Sequence, residues 1–251
     1  MSLSGEVVER ARERLLRLHR EAGAGHLGGN LSCLETMLVL YHEVLRPEDQ
    51  FVLSKGHSAG AHYIALWSAG LLDEETLSRF GRDGSPLPFH PPACGLPQAP
   101  FGSGSLGHGL SLAAGLALGR KLSHSPGAVY CLTSDGEWQE GQVWEALIFA
   151  QHHQLSNLCL LVDQNGWQGL DRVRDVESVS LESRLTAFGV GVRRVDGHDV
   201  EAVSQALSGW RLEGGLQALL LQTVKGRGVA GWEDQLHSHY ARLETLETPS
   251  K

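Results

Sequence analysis

Two apolar runs, residues 129–133 and 158–162, are each followed by a string rich in oxygen donors. The first is Ser134-Asp135-Gly136-Glu137-Trp138-Gln139-Glu140-Gly141, and the second is Asp163-Gln164-Asn165-Gly166-Trp167-Gln168. Their separation, roughly thirty residues, is that of one βαβ unit. Strands so related end side by side in a parallel sheet, and ligands bind at such carboxyl ends. Mg²⁺ wants about six oxygens in near-octahedral geometry and usually takes one or two protein carboxylates together with ligand phosphates. Asp135, the Asn165 amide oxygen and the backbone carbonyl of Trp167 would supply three ligands, a diphosphate two more and water the last. Gly136 would let the backbone approach the phosphates. An isolated Asp-Gly pair is ordinary turn chemistry. The matching donor at the second strand end argues for ligation here.

Four of the 13 histidines stand in suggestive contexts. His26 lies in Ala24-Gly25-His26-Leu27-Gly28-Gly29 and His57 in Leu53-Ser54-Lys55-Gly56-His57-Ser58, both glycine-containing strings. His90 precedes Pro91, and His239 follows Gly226-Arg227-Gly228 and Glu233 in the tail. Histidine often serves structure alone. Near neutral pH it can also donate to a developing alkoxide or remove a hydroxyl proton, an effect of about 10²- to 10⁴-fold. The string Gly104-Ser105-Leu106-Gly107-His108-Gly109 has the glycine content of a phosphate cradle, but no strand directly precedes it.

The elements that must position these groups are legible from periodicity. Residues 6–21 read as an amphipathic helix closed by Gly23 and Gly25, and 25–30 as a glycine-rich turn. Ser32 and Glu35 fit a capping box that opens the next helix, which runs toward Pro47. Residues 51–53 read as a short buried strand. Helices are expected from 58 to Gly70 and over 73–80. Residues 81–104 hold six of the nine prolines (Pro86, Pro88, Pro91, Pro92, Pro97 and Pro100). That excludes a helix or central strand and suggests an active-site loop. Beyond it, helices 107–122, 142–152, 181–188 and 200–207 alternate with strands 129–133, 158–162, 191–195 and 218–223. Such alternation predicts an α/β fold, a parallel sheet flanked by helices on both faces. The stretch from 226 has no clear period and is expected on the surface or across a partner.

Composition narrows the class. With 251 residues, 41% hydrophobic and 20% charged, the chain reads as one globular domain over 1–251. It has no apolar run of membrane-spanning length, and its first residues lack an export signal, so a cytoplasmic location is expected with no membrane partner. A net charge of −8 argues against a nucleic-acid surface. Cys33, Cys94, Cys131 and Cys159 form no CxxC pair and suggest neither disulfides nor a zinc site.

Taken together, Asp135-Gly136 and Asn165 resemble the G-D-G…N motif of thiamine-diphosphate enzymes. The fuller run from Ser134 through Trp144-Glu145-Ala146 is similar to the transketolase version, over a resemblance that spans nearly all of residues 20–240. It implies the N-terminal, diphosphate-binding half of a split transketolase, holding thiamine diphosphate through Mg²⁺, with Ca²⁺ or Mn²⁺ as substitutes. The resemblance implies a metal held by Asp135, Asn165 and Trp167. It implies cofactor contacts from His57, Gly104, Leu106, Asp135, Gly136, Glu137, Asn165 and His239, and catalytic roles for His26, His57, His90 and His239. Glu140 matches a residue that meets the partner's activating glutamate. The partner would be a C-terminal subunit carrying the pyrimidine-binding domain, in an α₂β₂ assembly acting on ketose and aldose substrates or their phosphates. Ser134 stands where the family generally has glycine, and Ser238-His239-Tyr240 stands where it has Trp-His-Gly. These departures keep open a noncatalytic subunit that binds cofactor or partner. A 2-oxo-acid dehydrogenase or synthase component would share Asp135 and Asn165 but has no use for His26, His57 and His90.

Overall fold

A computed structural model describes residues 3–211 and 214–243. Five strands form one sheet: β1 (Gln50–Leu53), β2 (Val129–Ser134), β3 (Leu158–Gln164), β4 (Gly191–Asp196) and β5 (Gln217–Gln222). All pairings are parallel, in the order β1-β2-β3-β5-β4. The order follows from sequence, because the inner strands β2, β3 and β5 are near-continuous apolar runs, as burial on both faces requires. The edge strand β4 carries exposed Arg193 and Arg194 instead.

Alternate residues of each inner strand divide between two cores. Tyr130, Leu132, Cys159, Leu161, Leu219 and Leu221 pack with α1 (Gly5–Ala22), α2 (Leu27–Val39), α3 (Ala59–Ser68) and α9 (Val200–Trp210). Val129, Cys131, Leu158, Leu160, Val162 and Leu220 pack with α5 (His108–Leu122), α6 (Gly141–His152) and α8 (Leu181–Ala187). Helices therefore cover both faces, as the alternation predicts. Short turns α4 (Glu74–Leu77) and α7 (Val173–Val176) complete the set. Cys33, Cys131 and Cys159 are buried free thiols, and Cys94 is exposed. No helix among the described residues is long and apolar enough to cross a membrane.

Local chemistry explains most boundaries. Ser4 accepts from the Val7 amide to open α1, and Gly23 closes it in the left-handed region at φ 58°. The capping-box expectation is overturned, and with it most of the turn expected at 25–30. Ser32 and Glu35 do not cap a helix, because α2 begins five residues earlier at Leu27 and takes in Gly28, Gly29 and Asn30. Both side chains are buried and face tertiary partners: Ser32 bonds Asp163, and Glu35 meets Arg12 and His198. The helix expected over 73–80 is only one turn, capped by Asp73. A π turn at Leu40–Val44 ends the α2 segment ahead of Pro47. The tail has only one short 3-10 turn, at Leu236–His239, and rather than lying wholly on the surface it buries Val229, Trp232 and Leu243 in the core and carries His239 to His26; residues 244–251 fall outside the described residues.

Candidate active site

The strand ends of β2 and β3 meet in register, Ser134 opposite Asp163, and the Asp135 amide donates to the Asp163 carbonyl at 3.1 Å. The Asp135 carboxyl accepts from the Gly136 amide at 2.9 Å and from the Gly166 amide at 2.7 Å. Burial, and then the charge of Asp163, push its pKa up to about 7. Asn165 is turned by its neighbours: Nδ2 donates to Asp163 at 2.9 Å and to Ser32 at 3.4 Å, and Oδ1 accepts from the Trp167 amide at 3.0 Å. Gly136 must be glycine for a reason local to the fold, since a Cβ there would lie 2.9 Å from the Gln168 Cβ.

Asp163 lies beneath these groups, fully buried, and pairs with the equally buried Lys55. Ser32 and Thr223 also donate to it, and Lys55 donates to the Gly29 carbonyl at 3.0 Å. Burial opposes the charge on Asp163, but the Lys55 ammonium outweighs it and holds the carboxyl below its usual range. This pair ties the loop after β1 to the end of β3 and to α2.

Above it the histidines converge. Ring centroids of His26 and His239 are 4.9 Å apart, His26 and His57 5.6 Å, His57 and His239 5.8 Å, and His26 and His90 6.1 Å. His26 adopts φ 61° and donates its amide to the His239 carbonyl at 2.9 Å, joining the start of α2 to the tail. Burial lowers all four pKa values. Lys55 adds to the effect at His57, and Lys225 adds to it at His239, which falls to about 3. The rings are therefore neutral donors and acceptors. The Lys225 ammonium donates to His239 Nδ1 at 2.7 Å, which leaves the ring proton on Nε2. Burial, then repulsion from Lys55, bring the Lys225 pKa down to about 8.

A cleft of about 440 Å³ gathers His26, His57, His90, His239, Gly104, Leu106, Gly136, Glu140, Asn165, Trp167 and Lys225. Asp135 lies between Ser134 and Gly136, which both line the cleft, and itself borders an adjoining cavity of about 350 Å³ with Gly166 and Arg172. Glu137 is fully buried, accepting from the Gly107 amide at 2.7 Å, the Ser134 amide at 3.2 Å and the Ser54 hydroxyl. It fastens the Gly104–Gly109 string to β2. The proline-rich segment meets the cleft through His90, whose ring lies 3.4 Å from where a Gly104 Cβ would sit. Lys55, Asp163 and Lys225 were not foreseen, although Lys55 and Asp163 stand inside the strings that carry His57 and Asn165. Only tertiary pairing reveals a buried lysine, whereas Lys225 before Gly226-Arg227-Gly228 was a missed local signal.

The family model described as transketolase, thiamine diphosphate binding domain, matches residues 6–250. This chain belongs to the transketolase family. It is 37% identical over 232 residues to the 6-deoxy-6-sulfo-D-fructose transketolase subunit of Clostridium sp. (strain MSTE9), covering 88% of this chain and 84% of that one. It is 33% identical over 243 residues to an apulose-4-phosphate transketolase subunit from Phocaeicola vulgatus, covering 92% and 86%. Among solved structures, transketolase from Campylobacter jejuni superposes with a TM-score of 0.87 at 26% identity, covering 96% of this chain but only 41% of that one. The chain thus spans well under half of a full-length transketolase, yet most of the length of these subunits.

The residues present fit thiamine diphosphate held through a divalent cation. Asp135 is a buried carboxyl close to a second one, and the Lys55 ammonium is committed to Asp163. A cation at Asp135 relieves that charge. Lys225 faces the cleft with a depressed pKa and gains from an anion. No side chain caps the N-terminus of α2, so its first amides suit phosphate oxygens. Among the described residues no group of three or more His, Cys, Asp or Glu side chains is placed to hold a metal. The cation would rely on the Asp135 carboxyl together with amide, backbone and phosphate oxygens, which is how Mg²⁺ is commonly bound.

Proposed function

We propose that this chain is the diphosphate-binding subunit of a two-component transketolase, transferring a two-carbon ketol unit from a ketose to an aldehyde acceptor. One observation carries the reading: four neutral histidines converge on one cleft at the carboxyl end of the sheet, beside Asp135 and Asn165. Relatives named as subunits that the chain nearly spans support the two-component form. The substrates are ketose and aldose phosphates or comparable anionic sugars, in keeping with relatives named for a sulfo sugar and a sugar phosphate.

Thiamine diphosphate, when bound, supplies the nucleophilic carbon and the electron sink that carbon–carbon cleavage needs. The protein binds, orients and moves protons. Asp135, the Asn165 amide oxygen and the Trp167 carbonyl would hold Mg²⁺, for which Ca²⁺ or Mn²⁺ could substitute. Lys225 would neutralise and position the diphosphate, and His57, a neutral ring beside the cofactor, would exchange hydrogen bonds with reacting oxygens. Backbone groups of Gly104 and Leu106 would meet the aminopyrimidine, and Glu137 anchors the string that carries them. His239, with its proton held on Nε2, donates to a sugar oxygen as charge develops there. His26 and His90 accept or return hydroxyl protons. Glu140, exposed on the cleft rim, faces the second subunit, which carries the pyrimidine-binding domain and its activating glutamate. An α₂β₂ arrangement satisfies closed two-fold symmetry.

The test is reconstitution. The purified chain, given Mg²⁺, thiamine diphosphate, a ketose donor and an aldose acceptor, is expected to show no transfer until the second subunit is supplied. Robust transfer by the chain alone would overturn the two-component reading. Absence of transfer in the mixture would overturn transketolase activity.

A further inference from the structure

Lys225 is the one lysine or arginine that lines the cleft among the described residues, and it is 2% exposed. Its segment after β5 turns at two left-handed glycines, Gly226 at φ 79° and Gly228 at φ 83°, and belongs to no helix or strand. Bonds from outside the segment hold it instead. The Gly226 amide donates to the Gly28 carbonyl at 3.0 Å, and the Lys225 carbonyl accepts from the Asp234 amide at 2.9 Å. On either side of Lys225, side chains take the backbone. The Val224 amide donates to His198 Nε2 at 2.8 Å, and the Arg227 carbonyl accepts from Arg12 Nη1 at 2.9 Å. Both side chains lead back to Glu35: one of its carboxyl oxygens accepts from the Arg12 guanidinium, and the other lies 3.2 Å from His198 Nδ1. Glu35 is 2% exposed. One buried carboxyl therefore grips the segment at both ends, with Lys225 between.

The bonds at His198 fix its proton. A backbone amide donates only to a ring nitrogen that carries none, so Nε2 is bare and the proton sits on Nδ1, where Glu35 accepts it. Two glycines permit the close approach. A Cβ on Gly197 would lie 2.4 Å from Thr223 Cγ2, and one on Gly228 would lie 2.8 Å from Arg12 Nη1. Neither Glu35 nor His198 lines the cleft, so neither touches what the cleft holds. Their effect on it runs through the backbone of residues 224–227. The side chain that this backbone carries into the cleft is Lys225, whose ammonium lies 2.7 Å from His239 Nδ1.

We infer that Glu35 and His198 are positioning residues for Lys225, holding the segment after β5 so that its ammonium is presented to diphosphate oxygens in the cleft. The diphosphate rests on the ketol-transfer reading above, whereas the coupling of His198 to Lys225 rests on the hydrogen bonds alone. A glutamine in place of His198 carries an oxygen near the position of Nε2 and can accept from the Val224 amide; a leucine cannot.

Calorimetric titration of the full chain, together with its second subunit, with thiamine diphosphate in the presence of Mg²⁺ tests this in a double-mutant cycle. His198→Leu is expected to weaken cofactor binding at least about tenfold, as is Lys225→Met. The double variant should bind no more weakly than Lys225→Met alone, whereas a His198 that serves only folding would add its loss in both backgrounds. His198→Gln should restore affinity to within about threefold of the wild type. A second readout needs no cofactor. In a chain labelled at the lysine ε-carbons, the NMR titration midpoint of Lys225, which burial brings down to about 8, should rise in His198→Leu as the ammonium leaves its place, and return in His198→Gln. Losses that add in the double variant, a Lys225 midpoint unmoved by His198→Leu, or a His198→Gln variant as weak as His198→Leu would each overturn the inference. If the midpoint moves as expected but the assembled protein binds no thiamine diphosphate, the positioning stands and the proposed function alone fails.

Discussion

The proposed function assigns Asp135 and His57 to different parts of the chemistry, and substitutions separate them. Asp135 is a buried carboxyl held by the Gly136 and Gly166 amides. Asp135→Ala should weaken Mg²⁺-dependent cofactor binding by well over tenfold, about 1.4 kcal/mol or more. His57→Ala and His26→Ala should lower kcat at saturating cofactor more than they lower cofactor affinity. An Asp135→Ala variant with near-normal affinity, or histidine variants with unchanged kcat, would reassign those residues to structure. These residues were legible because glycines flank them, and a glycine-rich string at a predicted strand end has few purely structural uses. Lys55 and Asp163 were not legible as a pair, because the partner that makes a buried charge tolerable lies far away in the chain. Glu137 was expected to contact the cofactor, yet its oxygens are taken up by Ser54, Gly107 and Ser134.

Between the strand ends, the Lys55–Asp163 pair joins three elements: the loop after β1, the end of β3 and the first turns of α2. Lys55→Met would leave Asp163 buried and uncompensated, a loss of about 3–5 kcal/mol in the cofactor-free chain. Urea unfolding would measure it, and the double variant Lys55→Met with Asp163→Leu should recover part of the loss. A single variant as stable as the wild type would show that water reaches Asp163. The strands and most helices were readable from alternation, because apolar period and burial agree in β2, β3 and β5. The start of α2 was misread, since Ser-x-x-Glu has the local form of a cap while Ser32 and Glu35 serve distant partners. Tertiary demand overrode a local signal there. The brevity of α4 was equally invisible, since a helical pattern does not state how many turns the packing will use.

Across the whole molecule, several histidines lie buried in the neutral form, which makes stability depend on pH. His62, which bonds the Tyr41 hydroxyl at 2.6 Å, is lowered by burial to about 3, and His19 to about 4. Below the ordinary value of about 6.5 the unfolded chain binds protons that the native chain refuses. Stability is therefore complete above that value and falls as pH drops toward 3, by on the order of 1.4 kcal/mol per pH unit for each such ring. His62→Phe should flatten that fall by about one ring's share between pH 6.5 and 4.5 in urea melts, and an unchanged slope would refute the assignment. The strand order has a further consequence for the birth of the protein. Among the described residues β4 pairs only with β5, which follows it in the chain and slots between β3 and β4. As the chain leaves the ribosome N-terminus first, β1, β2 and β3 can associate in turn, whereas β4 must wait unpaired for a neighbour not yet made. Lys225 and His239 emerge later still. A nascent chain therefore has both strand ends that carry Asp135 and Asn165 well before it has Lys225 and His239, and on the proposed reading it is expected to hold thiamine diphosphate only after synthesis has passed His239.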